Sequence, residues 1–147
     1  MGTEPTAAGR RHRQRVARAR TTGLIAGLLL MTLVGGCSRP AALYQEGKAQ
    51  LDRGEVSRAV KSLTLALRES PRNDLKLLFE IYSQRGLAYM RLNQYEEALA
   101  DLDAALALKP DDPETLHNRG LTNLALGRAM AAREDFEKVD ELGGRPK

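Results

Sequence analysis

The sequence predicts an all-α protein built from three tandem pairs of antiparallel helices. One observation is internal repetition. Gly47, Gly86 and Gly120 fall in register with Ala59, Ala98 and Ala132, with Leu63, Leu102 and Phe136, and with Ala66, Ala105 and Val139. The second and third segments lie 34 residues apart at each position and the first and second lie 39 apart, so five residues are inserted once. The other observation is helical spacing inside each segment, broken in mid-segment and again at its end. A period of this length describes one helical hairpin, which cannot bury its apolar face alone and must stack on its neighbours.

The chain opens on a segment that does not belong to this pattern. Residues 1–36 hold Arg10, Arg11, Arg13, Arg15, Arg18 and Arg20 against one acid, Glu4. The remaining residues carry 17 basic and 18 acidic groups, a net of −1, although the whole chain is +4. The basic character is therefore confined to the start, and no nucleic-acid footprint is expected beyond it. The arginines precede the apolar run Gly23–Val34, which at 12 residues is short of the roughly 20 that span a bilayer. That order suits a secretory signal peptide over residues 1–36. The alternative is an uncleaved anchor with an incidental cysteine. Arg10-Arg11 is not followed by the apolar pair of a twin-arginine signal.

The ending Val34-Gly35-Gly36-Cys37 resembles a bacterial lipobox, in which small residues precede a cysteine that takes diacylglycerol. Cys37 is the only cysteine of the chain, so a lipidated product retains no thiol. The resemblance implies a lipoprotein held to a bacterial membrane. Ser38 in place of aspartate implies the outer membrane, facing the periplasm. Residues 37–39 are then a lipidated tether of roughly 10 Å, which holds the repeat domain of residues 40–147 close to the bilayer.

The first unit, about residues 40–73, ends at Ser70-Pro71, with Asn73 or Asp74 as cap of the following helix. The insertion at 74–78 contains Leu75, Leu77 and Leu78; it lengthens the next helix by over a turn or forms a loop. In the second unit, about 79–112, Tyr82, Gly86, Tyr89 and Met90 recur at helical spacing. Asn93-Gln94 interrupts them, and Ala98, Leu99, Leu102, Ala105, Leu106 and Leu108 form a second stripe that Pro110 ends. Asp111-Asp112-Pro113 then supplies a capping aspartate and a first-turn proline for the third unit, about 113–146. Glycine and alanine at the repeated places suit close approach of two helix backbones.

These residues resemble the tetratricopeptide repeat, whose pattern is a large residue, Leu-Gly, an aromatic, Ala, a large residue, Ala and Pro. The second unit supplies Tyr82, Arg85-Gly86, Tyr89, Ala98, Leu102, Ala105 and Pro110. The first supplies Leu43, Glu46-Gly47, Ala59, Leu63, Ala66 and Pro71, with Gln50 in the aromatic place. The third supplies Leu116, Arg119-Gly120, Ala132, Phe136 and Val139, with Asn123 for the aromatic and Gly144 for the proline.

The resemblance implies a short right-handed α-solenoid whose first helices line a concave groove for a protein or peptide partner. It places Tyr44, Lys48 and Leu51, then Ser83, Leu87 and Met90, then His117, Leu121 and Leu124, along that groove. In the alternative, the leucines belong to the packing between helices. The lysine–asparagine clamp by which some members grip a C-terminal carboxylate is not expected, because only Lys48 offers a cation and Leu87 and Leu121 hold the counterpart places.

The sequence stops at Leu142-Gly143-Gly144-Arg145-Pro146-Lys147, with no additional covering helix. Leu124, Leu126, Met130 and Val139 are therefore expected to be covered by a second copy, as a homodimer, or by a partner.

No catalytic or metal-binding constellation is found, and no cofactor is expected. His117 is the only histidine beyond the leader, Asp101 and Asp103 lie two apart and do not face each other, and Glu96-Glu97 suits a solvated helix start. The sequence reads as a membrane-anchored adaptor in an envelope assembly (pilus, secretion or cell-wall complex), or else as a self-associating structural subunit.

Overall fold

The computed structural model describes residues 38–143. The leader, Cys37 and the last four residues lie outside them. Six helices follow one another: α1 Arg39–Asp52, α2 Val56–Glu69, α3 Leu75–Arg91, α4 Tyr95–Leu108, α5 Pro113–Ala125 and α6 Ala129–Glu141.

Each hairpin closes through one residue in the left-handed region: Gly54 at φ 76°, Asn93 at 59° and Gly127 at 73°. These three are equivalent under the repeat. Asparagine adopts this conformation at less strain than most side chains, because its short amide bonds locally. The links between hairpins use aspartate caps. Asp74 accepts the Leu77 amide at 3.1 Å, and Asp112 accepts the amide of Thr115 at 3.1 Å and its hydroxyl at 2.7 Å. The five inserted residues divide unequally: the link before α3 is one residue longer than that before α5, and α3 is four residues longer than α5. Leu75–Leu78 thus extend the helix by about one turn.

Within each pair the helices meet where side chains are smallest. A Cβ built on Gly47 would lie 2.7 Å from Leu63 Cγ; on Gly86, 2.9 Å from Leu102 Cγ; on Gly120, 2.6 Å from the Phe136 ring. Leu63, Leu102, Ala59, Ala66, Ala98, Ala105 and Ala132 are wholly buried there. Packing continues across the link, where Leu77 and Ile81 of α3 join Tyr44, Leu51 and Leu63. At the other end Leu106, Leu116 and Val139 form a second cluster. Val139 is therefore core, not the uncovered surface the sequence implied. Leu124 and Met130 are exposed, and Leu126 is half-buried.

Two arginines tie the units together. Arg85 grips Asp101 of its own unit with Nε and Nη2, both at 2.7 Å, and reaches back to Thr64 Oγ1 on α2 at 3.2 Å. One unit later, Arg119 grips Asp135 and reaches back to Asp103 on α4 at 2.8 Å. Thr64 and Asp103 are equivalent positions, so the same bridge is built twice. Asp101 and Asp103 thus hold two different arginines, a pairing that their spacing along one helix did not reveal. The first unit has Glu46 and Ser62 in these places, and Gln50 links them by hydrogen bonds of 3.0 Å each.

Candidate functional site

The array has an inside and an outside. The backbones of the first helices of successive units approach closely, α1 with α3 and α3 with α5, whereas those of the second helices stay farther apart. The layer therefore curves with α1, α3 and α5 on its inner side. Among them lies an open depression of about 110 Å³.

Its wall on α3 is Phe79, Glu80, Ser83, Gln84 and Leu87, one face of a helix at spacings of three and four. The opposing wall on α5 is Glu114, Thr115 and Asn118, with Asp112 at the helix start; Tyr44 of α1 closes the third side. Ser83 Oγ and Thr115 Oγ1 share a hydrogen bond of 3.2 Å across the gap and fix the α3–α5 separation. The extra turn of α3 precedes this wall and places Leu77 in the core shared with α1 and α2.

The electrostatics of the depression are acidic. Lys109 donates to Asp112 at 2.6 Å and lies 5.1 Å from the centre of the Phe79 ring. Burial alone would raise the Asp112 carboxyl, but the bonds from Lys109 and Thr115 outweigh it and hold the group below its ordinary value. Glu80 and Glu114 have no hydrogen-bonded or ion-paired partner among the described residues. The Tyr44 phenol is pushed up, first by burial and then by the charge of Glu80. Toward the far end of the inner face stand Lys48, which is exposed, and Arg91, which donates to the Leu51 carbonyl at 3.0 Å.

The nine positions expected along the groove are placed unequally. Tyr44, Ser83 and Leu87 line the depression. Leu51 is 3 % exposed and lies in the α1–α3 core, so it offers a partner no surface. His117 turns to the other side of α5, where its ring centre lies 5.6 Å from that of Phe136. Lys48, Met90, Leu121 and Leu124 lie outside the depression; Leu121 and Leu124 are exposed and Met90 is half-buried. The sequence reading passed over Gln84 and Asn118, which adjoin Ser83 and His117, and Glu80 and Glu114, which lie three residues before them. Their signal was the repeat itself: Glu80 and Glu114 are equivalent, as are Gln84 and Asn118.

A second depression, of about 260 Å³, lies among α4, α5 and α6. Its charged groups are already engaged: Arg119 with Asp103, and Lys138 with Asp111. No group of three or more histidine, cysteine, aspartate or glutamate side chains is placed to hold a metal among the described residues. No described helix is long and apolar enough to cross a membrane.

Residues 86–127 match the family model described as TPR repeat. The chain is 30 % identical over 98 residues to RNA polymerase II-associated protein 3 of Xenopus laevis, covering 67 % of this chain and 14 % of that protein. It is 31 % identical over 102 residues to the heat-shock protein cognate co-chaperone sgt12 of Aspergillus fumigatus, covering 69 % and 28 %. The chain thus spans a small part of the length of these relatives.

Among solved structures, the Sgt2 TPR domain from Aspergillus fumigatus superposes with a TM-score of 0.63 at 29 % identity, covering 72 % of this chain and 69 % of that one. The first TPR of Spaghetti (RPAP3), bound to the HSP90 peptide SRMEEVD, superposes with a TM-score of 0.65 at 25 % identity, covering 72 % and 80 %.

Proposed function

Because its three helical pairs belong to the tetratricopeptide repeat family, we propose that this chain is a non-catalytic adaptor that binds a segment of another protein in the depression between α3 and α5. The observation that carries the reading is the depression itself, walled by one face of each helix on the inner side of the array. A helix face paired with a helix face suits an extended or helical peptide with apolar anchors, for which Phe79 and Leu87 offer surface. The Spaghetti domain, similar in fold, is a peptide-bound example.

The arginine-rich segment, the apolar run and Val34-Gly35-Gly36-Cys37 support export and lipidation at Cys37. They favour an adaptor on a bacterial outer membrane, serving an envelope assembly. A second reading, self-association, draws on the exposure of Leu124 and Met130, at 50 % and 71 %.

Photo-crosslinking in living cells tests the reading, with the probe at Gln84. The expected result is a discrete band with another protein, lost on Leu87→Glu. In the same cells Cys37→Ser should release the protein from the membrane fraction. Only self-crosslinks would move the weight to self-association, and no crosslink at all would refute the groove.

A further inference from the structure

Of the side chains around the depression, three are acidic and none is lysine or arginine. Asp112 is balanced by Lys109 at 2.6 Å, which leaves Glu80 on α3 and Glu114 on α5 as carboxylates without a protein cation among the described residues. They stand on opposite walls of a space of about 110 Å³, large enough for a few water molecules or one compact polar head. Gln84 and Asn118 add amide oxygens that accept hydrogen bonds, while Phe79 and Leu87 give apolar surface beside them.

Resting on the groove reading above, we propose that the partner segment presents an arginine, whose stem lies along Phe79 and Leu87 and whose guanidinium enters between Glu80 and Glu114. Arginine fits better than lysine because its planar fork offers five donors to two separate carboxylates and to the amide oxygens one turn farther along each wall. Charge complementarity also excludes a class of ligand. A peptide ending in several carboxylates would meet Glu80 and Glu114 with like charge and find Lys109 already engaged, which selects against it. Farther along the inner helices Arg91 is committed to the Leu51 carbonyl, and Lys76, one turn before Glu80 on α3, makes no ion pair with it among the described residues.

The test is fluorescence polarisation of the full chain with three labelled peptides. The first is the blocked peptide Leu-Arg-Leu-Leu-Arg-Leu, and the second replaces each arginine by the neutral isostere citrulline. The third is SRMEEVD. The expected result is roughly tenfold or tighter binding of the arginine peptide over its citrulline twin, weakened by salt. That ratio should collapse to about one in Glu80→Gln/Glu114→Gln, with the helical circular dichroism unchanged. Equal binding of the arginine and citrulline peptides, both lost on Leu87→Arg, overturns the charge inference and leaves the groove reading standing. Binding that survives Leu87→Arg overturns the groove reading as well. Tighter capture of SRMEEVD, or no capture of any peptide, also overturns the proposal.

Discussion

Replacing Arg85 by methionine should destabilise the repeat array far more than an ordinary surface charge change. In the structure the Arg85 and Asp101 side chains are 14 % and 7 % exposed and meet through two parallel bonds of 2.7 Å. Burial alone would lower the Arg85 pKa; the bonds and charge of Asp101 outweigh it and leave the group raised. Asp101 has no other donor among the described residues, so the methionine variant leaves a buried carboxylate with no partner. Removing one member of such a pair costs about 3–5 kcal/mol. For a domain near 100 residues this lowers Tm by about 12 °C or more.

The double variant Arg85→Met/Asp101→Leu should recover to within about 1 kcal/mol of the parent, because exchanging a buried pair for apolar side chains is close to neutral. Arg119→Met should cost less than Arg85→Met, since Asp135 keeps the Asn123 amide at 3.2 Å and Arg119 is the more exposed arginine. Urea unfolding followed by circular dichroism measures these variants, Asp101→Leu and the parent. A loss below about 1 kcal/mol for Arg85→Met, or a double variant as unstable as the sum of its single changes, would refute the reasoning.

Two further outcomes follow from packing and capping. Gly47→Ala should lower stability by about 1 kcal/mol, although alanine favours a helix, because the new Cβ sits 2.7 Å from Leu63 Cγ and Leu63 is fully buried; stability equal to or above the parent in urea unfolding would show that α1 and α2 move apart freely. Asp112→Ala should cost about 1 kcal/mol at neutral pH. The Asp112 pKa is depressed on folding, so its contribution is present above the unfolded value near 4 and lost as pH falls through the folded value; the variant's stability should therefore decline less steeply below about pH 4, and parallel acid limbs would contradict this.

The period of 34 made the helix pairs, their breaks and the facing glycine positions readable, because each depends on local spacing and side-chain size. The destination of the α3 insertion was also readable in outline: Leu77 is buried and Leu78 half-buried, and apolar residues of that kind belong on a helix. The groove was harder. Choosing every third and fourth residue of the first helices fixes a stripe, yet curvature decides which edge of that stripe faces the partner. A rotation of about one residue moves Leu51 into the core and turns His117 onto Phe136, while Glu80 and Asn118 come forward. The arginine bridges were missed for a different reason. They join residues 16 apart on different helices, and no single-helix pattern contains them.

Those bridges give the array a direction. Each arginine reaches toward the unit before it, and the hydroxyl or carboxylate it meets sits on that unit's second helix. A duplicate of the second unit inserted after the original would find Asp103 waiting for its own arginine and would offer a new aspartate to Arg119. The same duplicate grafted ahead of the first unit would bring its copy of Asp103 toward Glu46, carboxylate toward carboxylate. Lengthening this protein by whole repeats should thus be tolerated inside the array and resisted at its front. That polarity lives in the charge pattern, and the three hairpin backbones do not reveal it.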